Sequence, residues 1–382
     1  MKKIVLAPDS FKGTLSSLRI CEIMKDEILS AFPDCLVISL PIADGGEGTV
    51  DSFLHALPGE KISLSVTGPL FNKIHSFYGL FEEGKTAVIE MAAAAGLPAV
   101  GGDKNPSVTT TYGVGELIKD AVKRGARKLV VGLGGSCTND GGCGLAAALG
   151  VKFLNAWGNF FIPVGNTLST ICAIDQTEAA HLLSGVSLCA MCDVDNPLFG
   201  ENGAAYVFGP QKGADEAAVK FLDLGLRHFG SLIENLPGRE GVSLIPGAGA
   251  AGGLGAGMSA LLGAALIPGI DAVLDTSHFE KLISGADLIL TGEGRMDAQS
   301  LRGKAVLGVS RRAAKMHVPV VAVVGDARDD EIAPVYSDGI CAVFSTNRRA
   351  IPLKEAKELA EKDLRYTVRN IIGMLKALEK SF

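Results

Sequence analysis

The chain has 382 residues, 47% hydrophobic and 20% charged, with a formal charge of -6; that is globular, and it is longer than one core usually supports, so two domains are expected. Aromatics at 6% and no basic stripe exclude a nucleic-acid-binding protein. No apolar run reaches the roughly 18 to 20 residues of a membrane span, and the apolar start is too short before Asp9 for a signal peptide, so a cytoplasmic protein without membrane attachment is expected.

Glycine is abundant, with 48 residues against a usual share of about 7%, which implies many loops that turn sharply or approach ligands. Eight cysteines are too sparse for a disulfide scaffold and are expected reduced. The pair Cys189-Ala-Met-Cys192 has a metal-like spacing, but it lies in a strand pattern with no second pair, which favours core packing.

In chain order, Lys3-Ile-Val-Leu-Ala7 reads as a strand ending at Pro8-Asp9-Ser10-Phe11-Lys12-Gly13-Thr14. A helix follows with Leu18, Cys21, Met24, Ile28 and Phe32 at helical spacing, capped by Thr14 or Ser16. The strand Cys35-Leu-Val-Ile-Ser-Leu40 leads to Ala43-Asp44-Gly45-Gly46-Glu47-Gly48 and a helix over about 49–57. Two strand-loop-helix units of a doubly wound sheet open their loops on one edge, so Asp9, Ser10, Lys12 and Asp44 are expected to converge there. From Lys61 the pattern alternates through Ile62, Leu64, Val66, Ile74, Phe77, Ala87 and Ile89, which predicts antiparallel strands and a boundary near residue 60. Thr109, Thr110 and Thr111 precede a helix over about 114–123.

The most conspicuous stretch is Gly132-Leu-Gly-Gly-Ser-Cys-Thr-Asn-Asp-Gly-Gly142, between the strand Lys128-Leu-Val-Val131 and a helical face built from Leu145 to Leu149. Glycines there would let backbone N–H groups point at a phosphate or carboxylate near a helix start. The plainer alternative is a tight strand-to-helix turn. Next come Val151-Lys-Phe-Leu154 and Val186-Ser-Leu-Cys-Ala-Met-Cys-Asp-Val-Asp-Asn-Pro197. Asp193 and Asp195 would share one face of a strand and hold a cation or supply a base, unless they only build a turn. Ala204-Ala-Tyr-Val-Phe208 reads as a strand before Gly209-Pro-Gln-Lys212-Gly-Ala214, where Lys212 would either neutralise phosphate or stand in an exposed turn. Gly247-Ala-Gly-Ala-Ala-Gly252 matches the dinucleotide pattern, but Pro246 spoils the preceding strand and a nucleotide-facing or packing loop is the better reading. The doubly wound rhythm then returns with Asp287-Leu-Ile-Leu-Thr291, the loop Gly292-Glu293-Gly-Arg295-Met-Asp297, a helix over about 304–315, and strands at 318–324 and 339–344. A last helix carries Leu359, Leu364, Val368, Ile371, Ile372, Leu375 and Leu378.

The fold class that follows is α/β: a flavodoxin-like, doubly wound parallel sheet from both chain ends, residues 1–62 and 284–382, with a large mixed α/β domain inserted over 63–283. Glycine loops, loop lysines and scattered carboxylates without a His or Cys motif fit phosphoryl transfer, which needs phosphate-binding groups, carboxylates for Mg²⁺ and an acid-base group. Neither the Walker nor the protein-kinase signature is present. An NAD-dependent oxidoreductase of a small hydroxy acid and a non-catalytic sensor of small acids are the alternatives.

Six blocks carry a resemblance: Ala7-Pro-Asp-Ser-Phe-Lys-Gly-Thr14, Ala43-Asp-Gly-Gly-Glu-Gly48, Gly134-Gly-Ser-Cys-Thr-Asn-Asp-Gly-Gly142, Cys192-Asp-Val-Asp-Asn-Pro-Leu198, Phe208-Gly-Pro-Gln-Lys-Gly213 and Leu290-Thr-Gly-Glu-Gly-Arg-Met-Asp297. In this order, over essentially the full chain, the sequence resembles the bacterial glycerate kinase type I family. The resemblance implies ATP-dependent phosphorylation of D-glycerate, usually to 2-phosphoglycerate, in a cleft between a flavodoxin-like domain and an inserted one. On that basis Asp193 is the expected base, and Lys12 and Arg295 are expected to bind the substrate carboxylate, alongside Asp9, Ser10, Asp44, Gly45 and Gly46. Gly134, Gly135, Ser136, Thr138, Asn139 and Lys212 would cradle phosphate, and Asp195, Glu293 and Asp297 would help hold Mg²⁺. The oligomeric state is not written in the sequence.

Overall fold

A computed structural model describes residues 1–43, 45–297 and 305–379. The strands of its two larger sheets are β1 (Lys3–Pro8), β2 (Leu36–Ser39), β3 (Gly59–Thr67), β4 (Lys73–Phe81), β5 (Thr86–Glu90), β6 (Lys128–Gly132), β7 (Ser187–Met191), β8 (Ala265–Ile267), β9 (Leu288–Gly292), β10 (Val320–Val324) and β11 (Ile340–Ser345). The helices that matter for the site are α1 (Ser17–Ala31), α2 (Thr49–Ala56), α3 (Tyr112–Lys123), α4 (Cys143–Ala148), α5 (Glu216–Glu234), α6 (Ala250–Leu262), α7 (Gly269–Thr276), α8 (Ala305–Lys315) and α9 (Leu353–Glu379). Contacts group the chain into two compact units, one from residues 1–43, 55–57 and 270–382, the other from 44–54 and 58–269.

In the first unit five strands run parallel in the order β11-β10-β9-β1-β2. This is the flavodoxin-like order expected from the two ends of the chain. The strands are near-continuous apolar runs because both faces are covered. Along β10 successive residues serve opposite faces: Val323 packs with Ile20, Met24 and Ile28 of α1 and Leu364, Val368 and Ile372 of α9, whereas Ala322 and Val324 pack with Val306 and Leu307 of α8. Ser16 caps α1, its Oγ accepting the Arg19 amide at 3.2 Å. The order reverses direction between β1 and β9, so the loops after these strands flank the switch-point crevice where such sheets bind ligands.

The second unit holds a six-stranded sheet in the order β8-β7-β6-β5-β4-β3. Strands β5 to β8 are parallel and β3 and β4 antiparallel, as the alternating pattern after Lys61 predicted. Two local readings are corrected. Residues 204–208 form a short helix rather than a strand, because Ala204 and Ala205 bury their small side chains where that helix packs on α5 and α6; a five-residue apolar run cannot tell the two states apart. Strand β7 ends at Met191, so Asp193 and Asp195 lie beyond it and the argument from a shared strand face lapses. Loop 45–48 packs on the loop after β6 within the second unit.

Candidate functional site

In the second unit the chain leaves β6 into the glycine-rich loop. Lys212 ends a one-turn helix at Pro210–Lys212 and is only 2% exposed. Its Nζ donates to Ser136 Oγ at 2.6 Å and to the Thr138 carbonyl at 2.7 Å. Lys212 is therefore no exposed turn residue but a buried cation inside the loop. Both bonded acceptors are uncharged, and burial pushes its ammonium down to about 8, against the weaker opposing fields of Cys137 and Asp140. Beside it, Thr138 Oγ1 and both amide atoms of Asn139 are buried without a hydrogen-bond partner among the described residues. A buried cation ringed by unspent polar groups is incomplete by itself, and a phosphate oxygen is the kind of group that completes it.

The start of helix α4 is not the anion site that the sequence pattern promised. Asp140, fully buried, occupies it. Its Oδ1 accepts the Gly142 amide at 3.1 Å, and its Oδ2 accepts the Thr111 amide and hydroxyl at 2.8 Å each and the Gly144 amide at 3.2 Å. Thr111 Oγ1 then accepts the Leu145 amide at 2.9 Å. Burial raises the Asp140 carboxyl, and these four bonds pull it back. The threonine cluster thus locks the loop: Thr109 Oγ1 also donates to the Cys137 carbonyl at 3.0 Å. The side-chain donors that face a ligand are those of Lys212, Thr138 and Asn139.

Glycines hold this loop by close backbone approach. A Cβ on Gly132 would sit 2.2 Å from the Gly45 carbonyl oxygen, and one on Gly134 would sit 2.6 Å from Gly46 Cα. The Gly134 amide donates to the Gly45 carbonyl at 3.0 Å. Beneath the loop lies the segment that resembled a dinucleotide fingerprint. It follows a one-turn helix at Val242–Leu244 rather than a strand, and Ala251, Gly252 and Gly253 are left-handed with φ of 53°, 71° and 91°. Gly252 accepts the Gly141 amide at 3.0 Å. It is a packing loop under the cradle.

In the first unit the switch-point loops meet closely. The Asp9 amide donates to the Gly292 carbonyl at 2.8 Å, and Asp9 Oδ1 accepts the Ser10 amide at 2.6 Å. A Cβ on Gly294 would lie 3.1 Å from Phe11 Cα and 3.2 Å from the Lys12 nitrogen. Lys12 and Arg295 are exposed on these touching loops, Glu293 is buried, and Arg295 Nε stands 3.5 Å from Asp297 Oδ2. The crevice therefore gathers Asp9, Ser10, Lys12, Glu293, Arg295 and Asp297.

Asp193 and Asp195 are both exposed in the second unit. Asp193 Oδ1 accepts the amide of Gly269, the first residue of α7, at 2.7 Å, which fixes the carboxylate's orientation. Gly45 and Gly46 are buried against the cradle; Asp44 lies outside the described residues. Among the described residues no three His, Cys, Asp or Glu side chains cluster as a metal centre, no helix is long and apolar enough to cross a membrane, and no disulfide forms. Sequence reasoning missed Asp140 and Glu90 as the carboxylates that occupy helix starts beside the glycine loops; in Asp140 the signal was an acidic residue directly before the helical run.

A family model described as the glycerate kinase family matches residues 4–376. Among curated proteins, a glycerate kinase of Bacillus cereus is 47% identical with 100% of both chains covered. A protein of Escherichia coli named glycerate 2-kinase is 43% identical over 98% of each. A crystal structure of a protein from Salmonella typhimurium LT2, described as a candidate glycerate kinase 2, superposes with a TM-score of 0.85 at 40% identity, covering 99% of both chains. The chain therefore belongs to the glycerate kinase family, and with it to the phosphotransferases.

Proposed function

We propose that the chain transfers the γ-phosphoryl group of ATP to the 2-hydroxyl of D-glycerate, giving 2-phosphoglycerate and ADP, with groups from both units acting in one turnover. Family membership makes glycerate the acceptor and ATP the donor; the 2-hydroxyl is favoured by the relative named glycerate 2-kinase. The observation that carries the reading is the buried Lys212 ammonium beside the unspent polar atoms of Thr138 and Asn139.

In this account Ser136, Thr138, Asn139 and Lys212 hold phosphate oxygens, with Gly134 and Gly135 letting the backbone come close. Lys12 and Arg295 bind the glycerate carboxylate, Arg295 through its two-pronged fork. Asp9, Ser10 and the loop of Asp44, Gly45 and Gly46 shape the rest of the substrate site. Asp193 accepts the hydroxyl proton as that oxygen bonds to the γ-phosphorus and the bond to the ADP oxygen breaks. Mg²⁺ is part of the proposal: Glu293 and Asp297 flank the two-residue strand Arg295–Met296 after β9, oxygen donors of the sort that ion takes beside phosphates, and Asp195 is a further candidate. When bound, the ion would neutralise charge on the phosphates.

A coupled assay of ADP release tests the reading. ADP formation that requires D-glycerate supports it; glycerate-dependent change in nicotinamide absorbance without ADP would replace it with the oxidoreductase reading. Asp193→Asn should keep the Gly269 contact, since the amide oxygen still accepts, yet lower kcat about 100-fold or more with little change in KM. Near-normal turnover would remove Asp193 as the base. Lys12→Ala should cost about tenfold in kcat/KM for glycerate, the loss of one charge-assisted contact.

The Lys212 ammonium also sets a pH dependence. Its affinity for protons is depressed, to about 8, and a bound phosphate favours the charged form. ADP affinity should be flat below that pH and weaken above it, with proton uptake on binding. Calorimetry in buffers of different ionisation enthalpy measures both; affinity unchanged up to pH ~9.5 would contradict it.

A further inference from the structure

A second buried carboxylate stands where the two glycine loops meet. Glu90 is the last residue of β5, is 2% exposed, and lies opposite Gly132, the residue at which the cradle loop leaves β6. Its Oε2 accepts the Val50 amide at 3.4 Å at the start of α2, and the amides of Thr49 and Gly48 turn toward it as well. Loop 45–48 is thereby held at both ends. At its beginning Gly45 is bonded to Gly134; at its end Glu90 gathers the amides into which the loop runs. Thr49 adds a bond from its hydroxyl to the Gly46 carbonyl at 2.7 Å.

Glu90 fills the start of α2 as Asp140 fills that of α4, so neither helix offers its amides to a phosphate. The difference lies in how well each carboxylate is held. Asp140 accepts four bonds of 2.8 to 3.2 Å, whereas the bond from the Val50 amide to Glu90 is long, at 3.4 Å. We infer that Glu90 is a positioning residue of the reaction: its carboxylate sets the place of loop 45–48, and through it the binding of glycerate. The inference rests on the reading above that this loop belongs to the glycerate site.

Burial raises the Glu90 carboxyl above its ordinary value, against the pull of the three amides. The charged group facing it is Asp51 of α2, a like charge that pushes the same way and is itself paired with Lys61 of β3 at 2.7 Å. Because the raised carboxyl takes up a proton before ordinary glutamates do, acidification should release the loop first: KM for glycerate rises toward acid while the protein stays folded.

The test is the steady-state KM for D-glycerate and for ATP across pH in the wild type and in Glu90→Gln, with Glu90→Asp as a second variant and melting temperature followed throughout. The amide of Glu90→Gln imitates the protonated acid. At neutral pH it should show about tenfold higher KM for glycerate, an ATP KM within about twofold, and no further acid limb. Glu90→Asp should raise KM yet keep the limb, since the charge remains one methylene short. A lowered melting temperature with both KM values and the pH profile unmoved would make Glu90 merely structural and overturn the inference. A rise confined to the KM for ATP would keep Glu90 as a positioning residue but refute the assignment of loop 45–48 to glycerate. If Glu90→Gln does not fold, the wild-type profile decides: a glycerate KM flat toward acid overturns the proposal.

Discussion

Replacing Lys212 by Met should lower kcat/KM about 100- to 1,000-fold while leaving the protein folded, the scale seen when one preorganised charge-stabilising donor is removed. The side chain is buried, and Met fills nearly the same volume. Stability changes in both directions. The Ser136 hydroxyl and the Thr138 carbonyl lose their donor, at a cost of ~1–3 kcal/mol, but a desolvated ammonium, already depressed to about 8, no longer has to be buried. The net change in melting temperature should be small, and the loss should fall on turnover and nucleotide affinity. Lys212→Arg should not rescue, because a planar fork has no room at a site that is 2% exposed. Kinetics beside a thermal melt separate the cases: activity within threefold of wild type would make Lys212 a structural peg.

Gly252→Ala is the most damaging single methyl group expected in the cradle. Its φ is +71°, where a side chain is strained, and the added Cβ would stand 2.0 Å from the Thr138 carbonyl oxygen and 2.6 Å from Asn139 Cα. Both neighbours are backbone and cannot swing aside. Strain and overpacking together should cost about 3 kcal/mol or more. The displaced carbonyl is the one Lys212 bonds, so activity should fall further than the unfolded fraction explains. Gly238→Ala is the matched control: its φ is also +71°, but nothing lies within 4 Å of the new Cβ. Urea unfolding of the two variants isolates the contact; equal stabilities would mean that Gly252 does not press on the loop.

Much of the fold was legible because parallel strands buried on both faces announce themselves. Ile4 to Ala7 and Val320 to Val324 are short apolar runs, and they became strands of the flavodoxin-like sheet on either side of β9. What failed were features decided by tertiary contact. Ala204 and Ala205 look equally apolar in a strand or a helix, and only packing on α5 and α6 chooses. Asp193 and Asp195 lay two and four residues past the end of a strand that no local signal terminates. At the site, the loop glycines and Lys212 were visible as residue types. Their partners were not: Asp140 and Thr111, 29 residues apart, share one carboxylate-hydroxyl lock, and Glu90 reaches the start of α2 from 40 residues away. Such long-range polar pairs leave no periodicity to read.

The most direct test of the central claim is proton-coupled phosphorus-31 NMR of the products that the protein forms from ATP and D-glycerate. Transfer to the 2-hydroxyl predicts ADP in equal amount to a new phosphomonoester whose signal is split into a doublet by the single methine proton. A triplet from the methylene protons of 3-phosphoglycerate, or ADP without any new phosphoester, would contradict it.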